Sequence, residues 1–373
     1  MPFTVAFFDS LSRIPTEVRR RIETCSTNRY DQTWAWHEAY VEHLLGGKDQ
    51  LKLAVVSDGA TQQPVGWLPL QRMPGRFPLA PHITRSLSNY YCVNSAPLWF
   101  EPVDEVEASR ALAAALATDP RLDLAPLDKQ SGFFATVCET LERAGYVVEP
   151  YFRFGNWYRP ITESGFAEYE KQLPGAVRNT VIRKRKRLEK TGRLDIHIVQ
   201  QPHEVDAALN QFEAVYARSW QRHEAYPRFI REVARRYAAN GWLRLGVLRL
   251  NDQPLAAQIW FKVGDTAAIF KLVYDEQYAE YSPGSVLTRE LLRQAIDVDR
   301  VKTVDYLSGD DEYKRQWMSD RREMWGIRAQ RLASVGGIIS WLRLRAKQAV
   351  RSTPRAVDSQ APAATAPSRD FGT

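Results

Sequence analysis

The chain has 373 residues, 44% of them hydrophobic and 25% charged, a balance that fits globular folding and excludes fibrous, collagen-like or wholly disordered protein. No run approaches about eighteen uncharged apolar residues and residues 1–20 carry no charged-then-apolar leader pattern, so a cytoplasmic protein is expected, with no membrane span. The net charge of +7 is local: residues 178–193 hold eight basic side chains against Glu189, which leaves the rest balanced and makes the basicity no evidence, by itself, of nucleic-acid binding.

In chain order, a helix is expected over residues 32–45, then strands over 51–56 and 65–70 joined by a turn through Asp58-Gly59. A Pro-rich loop spans 74–81, and Tyr90, Tyr91 and the run 96–100 suggest short buried strands. Helices follow over 106–117 and 132–144, the second ended by Gly145. A basic helix is read over 176–190, with Val181, Ile182 and Leu188 as a thin apolar stripe. Helices over 205–218 and 229–239 precede strands over 243–250, 254–262 and 266–274, whose short turns predict an antiparallel meander. A helix over 283–296 and a strand over 303–307 complete the second half. The class is therefore mixed α and β.

The two halves echo each other. Trp36-His37-Glu38-Ala39-Tyr40, Lys52-Leu53-Ala54-Val55 and Gln63-Pro64-Val65 have counterparts in Arg222-His223-Glu224-Ala225-Tyr226, Arg244-Leu245-Gly246-Val247 and Gln253-Pro254-Leu255. Two folding units are expected, 1–150 and 151–333, each burying a core, followed by a tail over 334–373. In that tail, 335–351 patterns as a basic amphipathic helix able to lie on a membrane or on the protein itself, and the Pro/Ala/Ser/Thr-rich end is expected to be disordered.

Cys25, Cys92 and Cys138 are too far apart for a metal knuckle, the histidines show no HxxxH spacing, and there is no GxSxG elbow, so no metal and no hydrolase nucleophile are expected. The chemistry is sought at two places. In Tyr281-Ser282-Pro283-Gly284-Ser285-Val286, Ser282 suits the N-cap and Pro283 the first helical position. That leaves the N–H groups of Gly284, Ser285 and Val286 to meet an anion. In the strand around Val304-Asp305-Tyr306-Leu307, an acid among apolar residues is followed by Gly309 and Tyr313-Lys314. There Asp305 can orient an amine or act as base, and Lys314 or Tyr313 can donate to an oxyanion. The basic helix reads either as a solvated face or as a binder of phosphates on CoA, a nucleotide-linked substrate or RNA.

Taken together, Ser219-Trp220, Pro227-x-Phe229, Gln253-Pro254-Leu255-Ala256-Ala257, Tyr274-Asp275, Tyr278-x-x-Tyr281-Ser282-Pro283-Gly284, Val304-Asp305-Tyr306-Leu307-x-Gly309 and Tyr313-Lys314-x-x-Trp317 resemble the bacterial GNAT-like acetyltransferases of the CelD/BioF2-like kind. These are similar in turn to the FemABX peptidyltransferases. The resemblance implies an α+β fold of tandem GNAT-like domains and acyl transfer by direct attack. The donor it implies is acetyl-CoA or another acyl-CoA, held by Tyr281, Ser282, Gly284, Ser285 and Val286, and the acceptor an amine or hydroxyl of a small molecule or glycan precursor. An aminoacyl-tRNA donor, or a non-catalytic accessory role in exopolysaccharide synthesis, are the other readings.

Overall fold

The computed structural model describes residues 2–25, 29–75, 81–100, 102–220 and 224–333, and beyond these only Ile338 and Leu342. The first half runs β1 (Phe3–Phe8), α1 (Thr16–Thr24), α2 (Trp34–His43), β2 (Gln50–Asp58), β3 (Pro64–Met73), β4 (Ile83–Ser86), β5 (Leu98–Trp99), α3 (Glu105–Leu116), β6 (Arg121–Asp128), α4 (Gly132–Arg143) and β7 (Tyr146–Pro160). The second half runs α5 (Phe166–Gln172), α6 (Gly175–Glu189), β8 (Leu194–Val199), α7 (Val205–Tyr216) and α8 (Pro227–Ala239). It continues with β9 (Leu243–Leu250), β10 (Gln253–Val263), β11 (Thr266–Tyr274), α9 (Pro283–Arg293), β12 (Thr303–Ser308), α10 (Glu312–Arg315) and β13 (Asp320–Arg331). The class is mixed α+β, a large mixed sheet flanked by helices.

Local chemistry sets many of these boundaries. The side chains of Thr33, Asp104 and Ser131 accept the N–H of Trp36, Glu107 and Phe134 and so start α2, α3 and α4. Proline at the first turn opens α8 and α9. Between β9 and β10, Asn251 and Asp252 both hold positive φ, 49° and 69°, the geometry of a two-residue turn that matches strand twist.

Among the described residues thirteen strands form one sheet in the order β1-β2-β3-β4-β6-β13-β7-β12-β11-β10-β9-β8, with β5 beside β3. The order reads symmetrically from the centre. β13 joins β6 to β7, while β7 joins β13 to β12, so the two long central strands belong to both halves. Among the described residues two pairings are parallel, β4 with β6 and β11 with β12, and they occupy matching places. β2 corresponds to β9 and β3 to β10, as the echoed strand segments anticipate. The shared His-Glu-Ala-Tyr does not correspond: residues 37–40 lie inside α2, whereas Glu224–Tyr226 precede α8 and His223 falls outside the described residues.

Among the described residues the buried apolar side chains collect into three clusters rather than one per half. One belongs to the first half around Leu68, Leu112 and Leu141, and one to the second around Leu255, Trp260 and Leu287. The third joins the halves through Trp36, Tyr91, Phe229, Tyr237, Phe261 and Phe270. Residues 90–91 form a turn, and of the run 96–100 only Leu98–Trp99 is a strand. The amphipathic segment expected over 335–351 lies almost wholly outside the described residues. Among the described residues no helix is long and apolar enough to cross a membrane.

Candidate functional site

Strands β11 and β12 pair in parallel over only three residues, Thr266 to Ala268 against Thr303 to Asp305, although both continue further. Beyond that point they part, so the facing edges of the two strands lack a partner strand there. Both strands are also irregular at the opening. Phe270 is the extra residue of a bulge in β11, and the register of β12 against β7 shifts between Asp305 and Ser308. Leu307 sits at φ 57° and Gly309 at φ 113°, a backbone turn that at Gly309 favours glycine.

Helix α9 begins on one side of this opening. A buried network fixes its first turn. Trp260 donates to Gln258 at 2.8 Å, and the Gln258 amide donates to the Gly284 carbonyl and to the Thr288 hydroxyl, each at 2.8 Å. A Cβ on Gly284 would stand 3.2 Å from the Tyr274 ring, so glycine permits the helix start to approach β11. Ser282 occupies the N-cap position in the left-handed region, φ 47°, and makes no capping bond through its side chain. Its carbonyl accepts the Val286 N–H at 3.1 Å. Of the three amides expected at this helix start, Val286 is therefore already bonded, while Gly284 and Ser285 have no hydrogen-bond partner among the described residues. Gln258→Leu is expected to leave the Trp260 N–H unpaired in the core and lower unfolding free energy by about 1–3 kcal/mol, read from urea denaturation.

The basic helix α6 lies against this corner. Lys184 is buried and donates to the Glu280 carbonyl, Arg187 reaches the Glu280 carboxylate at 3.2 Å and lies 5.4 Å above the Tyr281 ring, and Arg185 pairs with Glu290 at 2.6 Å. These three cations therefore anchor the helix. Arg183, Lys186 and Lys190 have no carboxylate partner among the described residues and form an exposed row with Asn179, on the face opposite the buried Val181, Lys184 and Leu188.

At the end of β12, Asp305 is buried and receives three kinds of donor. Asn156 donates to it at 2.6 Å, the Leu307 N–H at 2.7 Å and Arg322 at 2.7 Å, while Arg322 also donates to Asn156 at 2.6 Å. β12, β7 and β13 are thus tied together at the bulge. Lys314, also buried, donates to the Ser308 carbonyl at 2.5 Å and pairs with Asp311 at 3.3 Å. Burial pulls its pKa below the usual lysine value, against the opposing pull of Asp311. Tyr313 is half-exposed and meets Tyr306 edge to face at 5.7 Å.

The other face of the opening carries groups that motif reading passed over. Lys271 follows the bulge of β11 and pairs with Glu224 at 2.6 Å, its ammonium 4.8 Å from the Tyr91 ring centre. Both Tyr90 and Tyr91 donate to Glu224. Burial pushes the Glu224 carboxyl up, but Lys271 and the two phenols outweigh it and hold the pKa below the usual value. The first half delivers these tyrosines through a clamp: Asp31 accepts the N–H groups of Val93 at 2.8 Å and Asn94 at 3.2 Å, and Gln32 donates to the Ala96 carbonyl at 2.6 Å. A signal existed in Lys271 and Gln258, each a lone polar residue in an apolar strand, the same cue that selected Asp305.

Residues 175–315 match the family model of an acetyltransferase (GNAT) domain. Among solved structures, FemX is similar at 10% identity, covering 84% of this chain and 96% of its own, with a TM-score of 0.59. A conserved protein of unknown function from Bacteroides thetaiotaomicron is similar at 10% identity over 88% of this chain and all of its own, TM-score 0.53. The C-terminal domain of a putative lysylphosphatidylglycerol synthetase from Agrobacterium fabrum is similar at 11% identity over 92% and 99%, TM-score 0.52. At such identities the likeness is one of fold. No curated protein matches the chain.

Proposed function

We propose that the protein is an acyltransferase that takes an acyl group from an acyl-CoA thioester and delivers it by direct attack to an amine or hydroxyl of a sugar, amino acid or cell-envelope precursor. The observation that carries this reading is the parting of β11 and β12 beside an anchored helix start. The two unpartnered amides, Gly284 and Ser285, together with the helix dipole, suit the donor phosphates. The opening then admits the thioester arm, whose amide groups can pair with the unpartnered strand edges. Lys314 and Tyr313, in α10 just after β12, are the donors for the developing oxyanion. Asp305 serves as a positioning residue, since its oxygens already hold Asn156, Leu307 and Arg322. The acceptor approaches from the face of Glu224, Lys271 and the two tyrosines.

The exposed row of Arg183, Lys186 and Lys190 favours a second reading, in which the donor is an aminoacyl-tRNA whose backbone this row would meet. Retention of tRNA with a steep salt dependence, and no affinity for CoA esters, decides for it.

The test follows from helix-end electrostatics. A Cβ on Gly284 faces Tyr274, so a side chain there perturbs packing, whereas Ser285 is only partly buried. Ser285→Asp adds a carboxylate to the first turn of α9, which favours the helix by about 0.3–1 kcal/mol and repels donor phosphates. Calorimetry should show acetyl-CoA affinity reduced at least about tenfold in a variant that melts no lower than the wild type. Unchanged affinity would remove this helix start as the phosphate site.

A further inference from the structure

Strand β8 ends the sheet. All six of its residues pair with β9 on the inner side, without a register break, and among the described residues nothing pairs with its outer edge. Open edges are usually blunted by proline, lysine or a bulge, because a bare row of N–H and C=O groups invites another strand. Leu194-Asp195-Ile196-His197-Ile198-Val199 contains none of these. Leu194, Ile196 and Ile198 share one face, are only partly buried, and line a groove whose other wall carries the charged Arg185, Glu290, Arg293 and Asp297 beside Gln294 and Val298, the last 66% exposed. On the opposite face, Asp195 and His197 are exposed.

The strand is complementary to itself. Antiparallel pairing about Ile196 sets Leu194 opposite Ile198 and Ile196 opposite its own copy on the apolar face, and Asp195 opposite His197 on the polar face. The neighbouring registers do worse. Centring on Asp195 or on His197 brings like groups together, and centring between Ile196 and His197 opposes apolar to polar side chains. Within the chain Asp195 pairs with Arg249 at 2.8 Å and His197 with Glu204 at 3.0 Å. In the Ile196 register the row Arg249, Asp195, His197 of the second copy and Glu204 of the second copy then places basic and acidic groups in turn.

We propose that β8 is the surface through which two copies of this chain pair edge to edge, continuing the sheet across a two-fold axis at Ile196. The interface satisfies the outer backbone row and lays Leu194, Ile196 and Ile198 of the two copies side by side on one face of the continued sheet. Because the groove adjoins the C-terminal end of α9, the helix start at Gly284 stays open, and acyl transfer and pairing are separable.

Sedimentation velocity of the full chain from about 1 to about 100 µM should show a species of twice 42.8 kDa. Ile196→Lys sets two ammonium groups face to face at the axis and should weaken pairing at least about tenfold, with cooperative melting retained and acetyl-CoA affinity unchanged. Ile196→Cys should cross-link into a covalent dimer with a short thiol reagent, whereas wild type, with only Cys25, Cys92 and Cys138, and the His197→Cys variant should not. A wild-type chain that stays monomeric across this range overturns the proposal. So does a dimer that survives Ile196→Lys without cross-linking at Ile196→Cys. A monomer that pairs only after removal of residues 334–373 overturns it as well, because the tail would then be what covers the strand.

Discussion

Replacing Lys314 with methionine is expected to lower turnover about a hundredfold to a thousandfold, the usual effect of losing one preorganised oxyanion donor, or about 3–4 kcal/mol. Methionine keeps the length and apolar stem of the side chain in a buried place and removes only the ammonium. Little stability should go with it. Asp311, the lost ion-pair partner, has a side chain 59% exposed and remains solvated, so one bond to the Ser308 carbonyl is the main structural loss. Donor affinity should hold, since the phosphates are assigned to the start of α9. The pH profile offers a second readout. Burial lowers the Lys314 pKa, so the charged form is lost as pH rises at values below the ordinary lysine range. Wild-type turnover should fall along that alkaline limb, and the limb should vanish from the residual activity of the variant. Retention of more than about half the turnover would leave positioning of the reactants as the better account of the rate.

How much of this was legible in the chain depends on which interactions are local. The meander β9 to β11 was readable because its turns are short and its apolar runs are punctuated by Asn251-Asp252 and Gly264-Asp265, and α9 because Pro283 announces a first turn. The parting of β11 and β12 was not, since both are apolar runs and nothing in either tells whether its neighbour stays paired. β7 and β13 went unread for another reason. Their polar and aromatic composition, as in Phe152-Arg153-Phe154-Gly155-Asn156 and Arg321-Arg322-Glu323, carries no clear alternation, and only the central place in the sheet makes them strands. The basic helix was placed correctly, yet its charges divide into anchors and free cations by a tertiary contact, the carbonyl and carboxylate of Glu280. Glu224 and Lys271 come together from positions 47 apart with tyrosines from the other half, which spacing along the chain cannot disclose.

Removing the carboxylate of Asp305 should be the most damaging single change to the fold near the site, and two substitutions separate its structural from its chemical role. Asp305→Ala leaves Asn156, the Leu307 N–H and one arm of Arg322 without their shared acceptor in a place where Asn156 is fully buried, so unfolding free energy should fall by about 3 kcal/mol. Arg322 is partly exposed, which limits the loss through hydration of the freed guanidinium. Asp305→Asn behaves differently because the two carboxylate oxygens have different partners. Its amide oxygen can replace the one that accepts from Asn156 and Leu307, but its NH2 group then faces the Arg322 donor, so roughly one interaction of the three is lost, and the cost should be about 1–2 kcal/mol. If Asp305 only positions the bulge, the folded asparagine variant should turn over within about tenfold of wild type. A fall beyond about a hundredfold in a variant that still melts cooperatively would instead make Asp305 the base, since general-base catalysis is worth about that much. Urea denaturation read beside the turnover of the two variants therefore assigns the residue, because a positioning role costs stability and rate together, whereas loss of a base costs rate far beyond the loss of stability.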